Sequence, residues 1–223
     1  MIQASTISFL KSLKRNNNKN WFDANRKSYE LAKEDFIQFV QQLIDKTSKK
    51  DPTLSSLIAK NCIFRINRDV RFSNDKSPYK SNMGASINKA GKKAILSAGY
   101  YFHLEPGNSF VGGGIYMPMA PELKKIRQEI DYNWNDFKKI ISERKFKAIY
   151  SDLDRSEDVT LQRVPKGYEP TNPAAEYLKL KSYIVLLPIT DKELQSKDLI
   201  KKAVAAFEAL QPLVYFLNQA LAD

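Results

Sequence analysis

The sequence predicts an α+β fold, a mainly antiparallel sheet flanked by helices, as a single domain over residues 1–223. The clearest strand candidates are joined by short turns, whereas a parallel doubly wound sheet needs crossover helices between its strands. Helical periodicity dominates both ends of the chain, and no internal repeat, low-complexity linker or break in composition divides it. With 43% hydrophobic and 27% charged residues, and only 8 Gly and 10 Pro, the composition is that of an ordered protein with a substantial core.

The first helix carries Ile7, Leu10 and Leu13 on one face, with Ser5 as its expected cap. Asn16 to Asn20 reads as a polar turn. A long helical stretch follows from about Trp21 to Thr47, where Phe36, Phe39, Val40 and Leu43 mark one face. Asp51-Pro52 opens a short helical turn. From Ile63 to Met117 the pattern changes to strands with glycine and polar punctuation. Two helices are expected from Ala120 to about Arg144, with Pro121 in a first turn, where its missing N–H is no loss. A strand near Val159 to Gln162, a short helix near Pro173 to Leu178 and a strand Tyr183 to Leu187 come next. The closing helix has Ala203, Phe207, Leu210, Val214, Leu217 and Leu221 on one face, and Pro212 is expected to kink or split it.

One hairpin can be given a register. Glu105-Pro106-Gly107-Asn108 has the chemistry of a tight turn, with Pro and Gly at its centre. Pairing Glu105 with Asn108 and counting outward sets Phe102 against Val111 and Ala98 against Ile115 on the core side. The other face opposes His103 to Phe110, Tyr101 to Gly112 and Gly99 to Gly114. Its three glycines leave a shallow dish rimmed by Tyr101, His103 and Tyr116, to be filled by a ligand or by another segment of the chain.

No apolar run approaches the ~18 residues of a membrane helix, so no membrane partner is expected. The first 22 residues lack acids and carry four cations, yet they read as an ordinary amphipathic helix rather than a transit peptide. One cysteine, Cys62, excludes an internal disulfide and suits a reducing compartment, so a cytoplasmic location is expected. The net charge of +11 is unevenly placed. Between Lys60 and Lys93, nine cations (Lys60, Arg65, Arg68, Arg71, Lys76, Lys80, Lys89, Lys92 and Lys93) face only Asp69 and Asp75, a local charge of +7. Such a field attracts phosphates, carboxylates, nucleic acid or acidic protein surfaces.

The densest candidate site runs from Arg68 to Lys80. Arg68, Arg71, Lys76 and Lys80 are its expected anion ligands, and Asp69, Ser73, Asp75, Ser77 and Tyr79 line it. Guanidinium forks match phosphate or carboxylate oxygens, and hydroxyls add neutral donors. Asp69 and Asp75 have three compatible roles: orienting the arginines, ligating a divalent cation, or acid–base work. A salt-bridge web pinning the loop to the sheet is the structural counterpart of all three.

This segment, with Asn20-Trp21-Phe22 and Tyr29 upstream, resembles a bacterial and fungal family of conserved hypothetical proteins, domain of unknown function 2461. Further matching pieces are Tyr101 with His103, Gly112-Gly113-Gly114, Leu123 through Ile126-Arg127, and Arg163-Val164-Pro165-Lys166-Gly167-Tyr168, so the resemblance spans nearly the whole chain. It implies one compact α+β domain and supplies no agreed activity, cofactor or catalytic residue.

Arg127 falls on the apolar stripe of its helix beside Leu123, Ile126 and Ile130, where a charge must be paired, face a polar cleft, or snorkel from the stripe's edge. Arg163 and Lys166 flank Pro165, and the Lys166-Gly167 turn exposes backbone N–H groups; Arg127 and Arg163 join the anion ligands, and Lys166, Tyr101, His103, Gly112, Gly114 and Tyr116 its lining. One histidine and one cysteine forbid His-rich and thiolate zinc sites. The chain lacks a G-x-S-x-G elbow, a P-loop and G-x-G-x-x-G. Ser77-Pro78-Tyr79-Lys80 spells S-x-x-K without its partner motifs. Three functions fit. The first is an anion-binding domain for a phosphorylated small molecule or phosphate-bearing polymer, with no cofactor evident. The second is a Mg-dependent phosphoester hydrolase or transferase using Asp69 and Asp75. The third is an interaction module whose basic face docks an acidic protein.

Overall fold

The structure, a computed structural model, describes residues 1–89, 91 and 97–222; Lys92 and Lys93 of the basic stretch lie outside the described residues. The chain is α+β. Its helices α1 (Ala4–Arg15), α2 (Lys19–Ala24), α3 (Arg26–Thr47) and α4 (Ala59–Cys62) precede the strands β1 (Met83–Ile87), β2 (Gly99–Leu104) and β3 (Ser109–Ile115). Helices α5 (Ala120–Tyr132), α6 (Trp134–Ser142), α7 (Arg144–Tyr150) and α8 (Ala175–Leu178) lead to β4 (Tyr183–Ile189), α9 (Asp191–Leu194) and α10 (Leu199–Leu221). The four strands form one antiparallel sheet in sequential order, β1-β2-β3-β4. No helix among the described residues is long and apolar enough to cross a membrane.

Contacts divide the chain into two compact units. The first holds the described residues up to Gly91, with Tyr101–Val111 and Pro188–Ala205. In it the apolar face of α3 packs on β2: Phe36 and Phe39 lie 6.3 and 4.7 Å from Phe102, ring centre to ring centre. Helix α1 starts at Ala4, so Ser5 lies inside it and is not the cap. The buried carboxylate of Asp35 stands at that end instead, accepting from Gln3 N (3.0 Å) and Thr6 Oγ1 (2.6 Å). A side chain of α3 thus satisfies the Gln3 N–H at a helix start whose N–H groups are otherwise open. The expected Trp21–Thr47 helix is two helices, because Asn25 (φ −108°, ψ 17°) interrupts it and Asn18 caps the earlier piece through Trp21 N. The helical turn at Pro52–Leu54 forms as expected, capped by Asp51.

The second unit holds the described residues from Ser97 to Tyr100, with Gly112–Leu187 and Ala206 onward. Here Tyr100 packs on Phe207 (4.9 Å), and Phe137 on both Tyr177 (5.2 Å) and Phe216 (5.4 Å). Two helices fill Ala120 to Ser142 as expected, and a third that the sequence did not mark, α7, begins at Arg144, capped by Glu143 through Lys145 N and Phe146 N. The expected strand at Val159–Gln162 shrinks to one bridge between Thr160 and Leu180. Helix α10 runs unbroken through Pro212, which does not split it.

The hairpin turn closes as the sequence predicts, with Asn108 N donating to Glu105 O at 2.8 Å and the strands ending at Leu104 and Ser109. Tyr100, Phe102 and Leu104 are buried, while Tyr101 and His103 on the alternate face are half-buried. The dish is filled by the chain itself. A Cβ on Gly112 would overlap Val185 O, and one on Gly114 would overlap Tyr183 O, so these glycines admit the β4 backbone. Gly114 also has φ +110°, which side chains rarely adopt. Gly114→Ala should therefore cost roughly 2–6 kcal/mol, adding backbone strain to overpacking. Gly107→Ala, at φ +82° with open space around it, should cost about 1–2 kcal/mol. Urea titration of both variants checks the difference.

Candidate functional site

The basic segment is a narrow ribbon. Lys80 N donates to Ile66 O (2.8 Å), Arg68 N to Pro78 O (3.0 Å), and Asn67 bridges to Tyr79. Tyr79 anchors it. Its ring stacks on Phe22 at 3.9 Å and 14°, and its backbone exchanges hydrogen bonds with the Asn17 side chain (2.8 and 3.1 Å). Phe22 packs in turn on Tyr29 at 5.0 Å. The upstream aromatic motif is thus the seat of the ribbon.

At the tip, the loop's carboxylates are spent on its own donors. Asp69 takes a fork from Arg71 (Nε 2.9 Å, Nη2 2.6 Å). Asp75 pairs with Arg68 and accepts from Ser77 N (2.9 Å) and Ser77 Oγ (2.6 Å), while Arg68 also reaches Ser73 Oγ at 3.3 Å. Lys76 Nζ donates to Val70 O at 3.1 Å. Both carboxyl groups lie below the usual carboxylate range, Asp69 through its bonds to Arg71, Asp75 through those to Ser77 and then Arg68. Arg68 and Arg71, expected as anion ligands, are therefore already paired. The pairs are surface pairs, with the Arg71 side chain 76% exposed, and contribute little to stability. The same bonds occupy the aspartates required by the Mg-dependent alternative, and among the described residues no group of three or more His, Cys, Asp or Glu is placed to hold a metal.

Two cations of the ribbon remain. Among the described residues, no carboxylate lies within ion-pair distance of Lys80 or of Arg65, which the sequence did not single out. Lys80 Nζ lies 5.6 Å from the centre of the Phe64 ring. Its ammonium pKa is lowered, first by burial and then by the charge of Arg65. Arg65 is exposed and near enough to Asp69 to be felt by it, although Asp69 is bonded to Arg71.

Tyr101, His103 and Glu105 project from the same face of the β2 strand and its end. Tyr101 Oη lies 3.1 Å from His103 Nδ1, and His103 Nε2 lies 3.4 Å from Glu105 Oε2. The imidazole stacks on Phe110 (4.7 Å, 8°), and Tyr101 lies over Gly84 of β1. Burial pushes the Tyr101 phenol up to about 12 and holds the His103 pKa below its ordinary value despite Glu105. The neutral imidazole thus makes hydrogen bonds rather than an ion pair. Burial raises the Glu105 pKa, but donors from Asn108, His103 and Ser81 outweigh it and leave the pKa lowered. The sequence marks Glu105 only as a turn residue, though alternate residues of a strand share a face.

The other expected site residues belong to the second unit. Arg127 Nη2 donates to Leu180 O (3.0 Å), and its charge lies near the Tyr183 hydroxyl. Arg163, Lys166 and Tyr116 are exposed, and Gly112 and Gly114 meet β4. The structure gathers Arg68, Asp69, Arg71, Ser73, Asp75, Lys76 and Ser77 into one loop, and Tyr101 with His103 into one row.

Fold and site define an α+β protein with an antiparallel meander and a basic ribbon whose tip is internally paired. The chain belongs to the conserved hypothetical protein family DUF2461, whose family model matches residues 5–216. No curated protein and no solved structure matches it.

The buried row generates a pH dependence. Because the folded His103 pKa lies below the ~6.5 of an unfolded histidine, the unfolded chain binds more protons between the two values. That contribution is complete above about pH 6.5 and is lost as pH falls through the depressed folded pKa. Urea titrations at pH 7.5 and 5.5 should show a loss in the wild type that His103→Gln reduces.

Proposed function

We propose that the basic ribbon binds a phosphate-bearing anion, with Lys80 and Arg65 as its charged ligands. The observation that carries this reading is the pairing pattern. Arg68 and Arg71 have carboxylate partners, whereas Lys80, half-buried and beside the charge of Arg65, has none among the described residues. Two like charges, one partly stripped of water, are unfavourable in the free protein, and an anion relieves both costs. A phosphorylated small molecule or a phosphate-bearing polymer supplies that charge, and the reducing, cytoplasmic setting suited to a chain with one cysteine fits either.

A ligand that binds only the folded state raises its apparent stability, so inorganic phosphate should raise the thermal midpoint of the wild type. Arg65→Met and Lys80→Met should abolish that rise while leaving the free protein as stable as before or more so, because each removes a repulsion. Arg71→Met should keep the full response. Melting curves with and without phosphate at constant ionic strength decide it. A wild type indifferent to phosphate, or an Arg71 variant that loses the response, would overturn the proposal.

A further inference from the structure

A groove of about 590 Å³, within the range of small-molecule sites, is lined by Phe64 and Arg65. Helix α3 forms one side, with Tyr29 and Glu34, and α4 with the chain after it contributes Lys60. The floor is apolar and includes Ile63, Ile66 and Met83. Phe64 is 39% exposed, a large aromatic face in contact with water, and the Lys80 ammonium stands 5.6 Å from its centre. Glu34 is also open, its carboxylate meeting only a 3.5 Å hydrogen bond from Gln38 among the described residues.

The lining therefore divides by chemistry. Lys60 and Arg65 in the lining, and Lys80 at the Phe64 ring beside it, offer positive charge; Phe64 offers a ring, Glu30 and Lys33 are paired with each other, and Glu34 offers an exposed carboxylate that accepts hydrogen bonds. A continuous polyanion gains at the cations and is repelled at Glu34. A molecule with phosphate at one end, a planar body, and neutral N–H or O–H donors at the other satisfies all of them. Resting on the anion-binding reading above, we infer that the groove takes a mononucleotide. The phosphate lies on Arg65 and Lys80, the base lies against Phe64, and amino or hydroxyl groups donate to Glu34. Bases stack on aromatic side chains without strong preference for sequence, so the inference is for the class rather than one base.

Calorimetric titration of the whole chain with inorganic phosphate, ribose 5-phosphate, AMP, adenosine and a short single-stranded DNA tests it. AMP should bind at least about tenfold more tightly than phosphate or ribose 5-phosphate, the factor that one stacked base contributes. Phe64→Ala should bring AMP down to the affinity that the same variant shows for phosphate, with Phe64→Leu as the variant that keeps an apolar side chain should alanine fail to fold. Arg65→Met should weaken AMP and phosphate alike. If phosphate binds and AMP binds no better, the nucleotide inference falls and the anion reading stands; if neither binds, both fall. Adenosine binding as tightly as AMP, or DNA binding more tightly per phosphate than AMP, would also overturn it.

Discussion

The carbonyl oxygens of Tyr183 and Val185 stand where the side chains of Gly114 and Gly112 would begin. Strand β4 can approach β3 in this way only because those two positions lack a Cβ, and much of the second unit follows from that. Once β4 is seated, Tyr183 is buried and its hydroxyl donates to Tyr177 O at 3.0 Å. Tyr177 in turn donates to Asp152 and lies beneath the Arg155 guanidinium at 4.5 Å. The same segment brings Leu180 O and Tyr183 to Arg127, so a cation on the inner stripe of α5 finds polar partners. Two of the three glycines that looked like a vacant dish, Gly112 and Gly114, are thus the condition for a strand pairing.

Much of the architecture was legible because it depends on short-range pattern. The 105–108 turn is fixed by Pro and Gly at its centre, and the alternation of Tyr100, Phe102 and Leu104 against Tyr101 and His103 follows from strand geometry. Element ends were less legible because distant residues supply them. Ser5 has the chemistry of a cap, yet Asp35, far along the chain, satisfies the start of α1. The break at Asn25 leaves little trace in the apolar period, since Phe22 and Phe36 both turn inward on either side of it. Pro212 illustrates the opposite case. A residue that breaks isolated helices is carried within α10, where Leu210, Leu213 and Val214 are buried around it.

The site divides the same way. That residues 68–80 concentrate charge and hydroxyls is plain in the sequence, whereas their link to the Phe22 region entered only through the family resemblance. Which charges remain open is not, because it depends on the direction each aspartate turns. Asp69 folds back on Arg71 two residues away, and Asp75 reaches Arg68 across the loop. Those choices are settled by loop geometry, which periodicity does not encode. They transfer the open positive charge from the tip, where the sequence concentrated it, to Arg65 and Lys80 near the base of the ribbon.

The remaining question is why Glu105 does not neutralise Lys80, given that Ser81, the next residue, donates to it at 3.1 Å. Glu105 is surrounded by other donors: Asn108 Nδ2 at 3.2 Å, the neutral imidazole of His103 at 3.4 Å, and Lys14 Nζ at 3.8 Å. Lys80 meanwhile lies over the Phe64 ring. A carboxylate needs several donors once half-buried, and neutral donors supply most of them here, so its charge is solvated without consuming a cation of the ribbon. Ser77 adds two neutral bonds to Asp75, which still pairs with Arg68. Hydroxyls and amides thus supply several of the bonds that Asp75 and Glu105 accept, Lys14 of α1 rather than Lys80 stands by Glu105, and the excess positive charge of residues 60–80 persists in the fold.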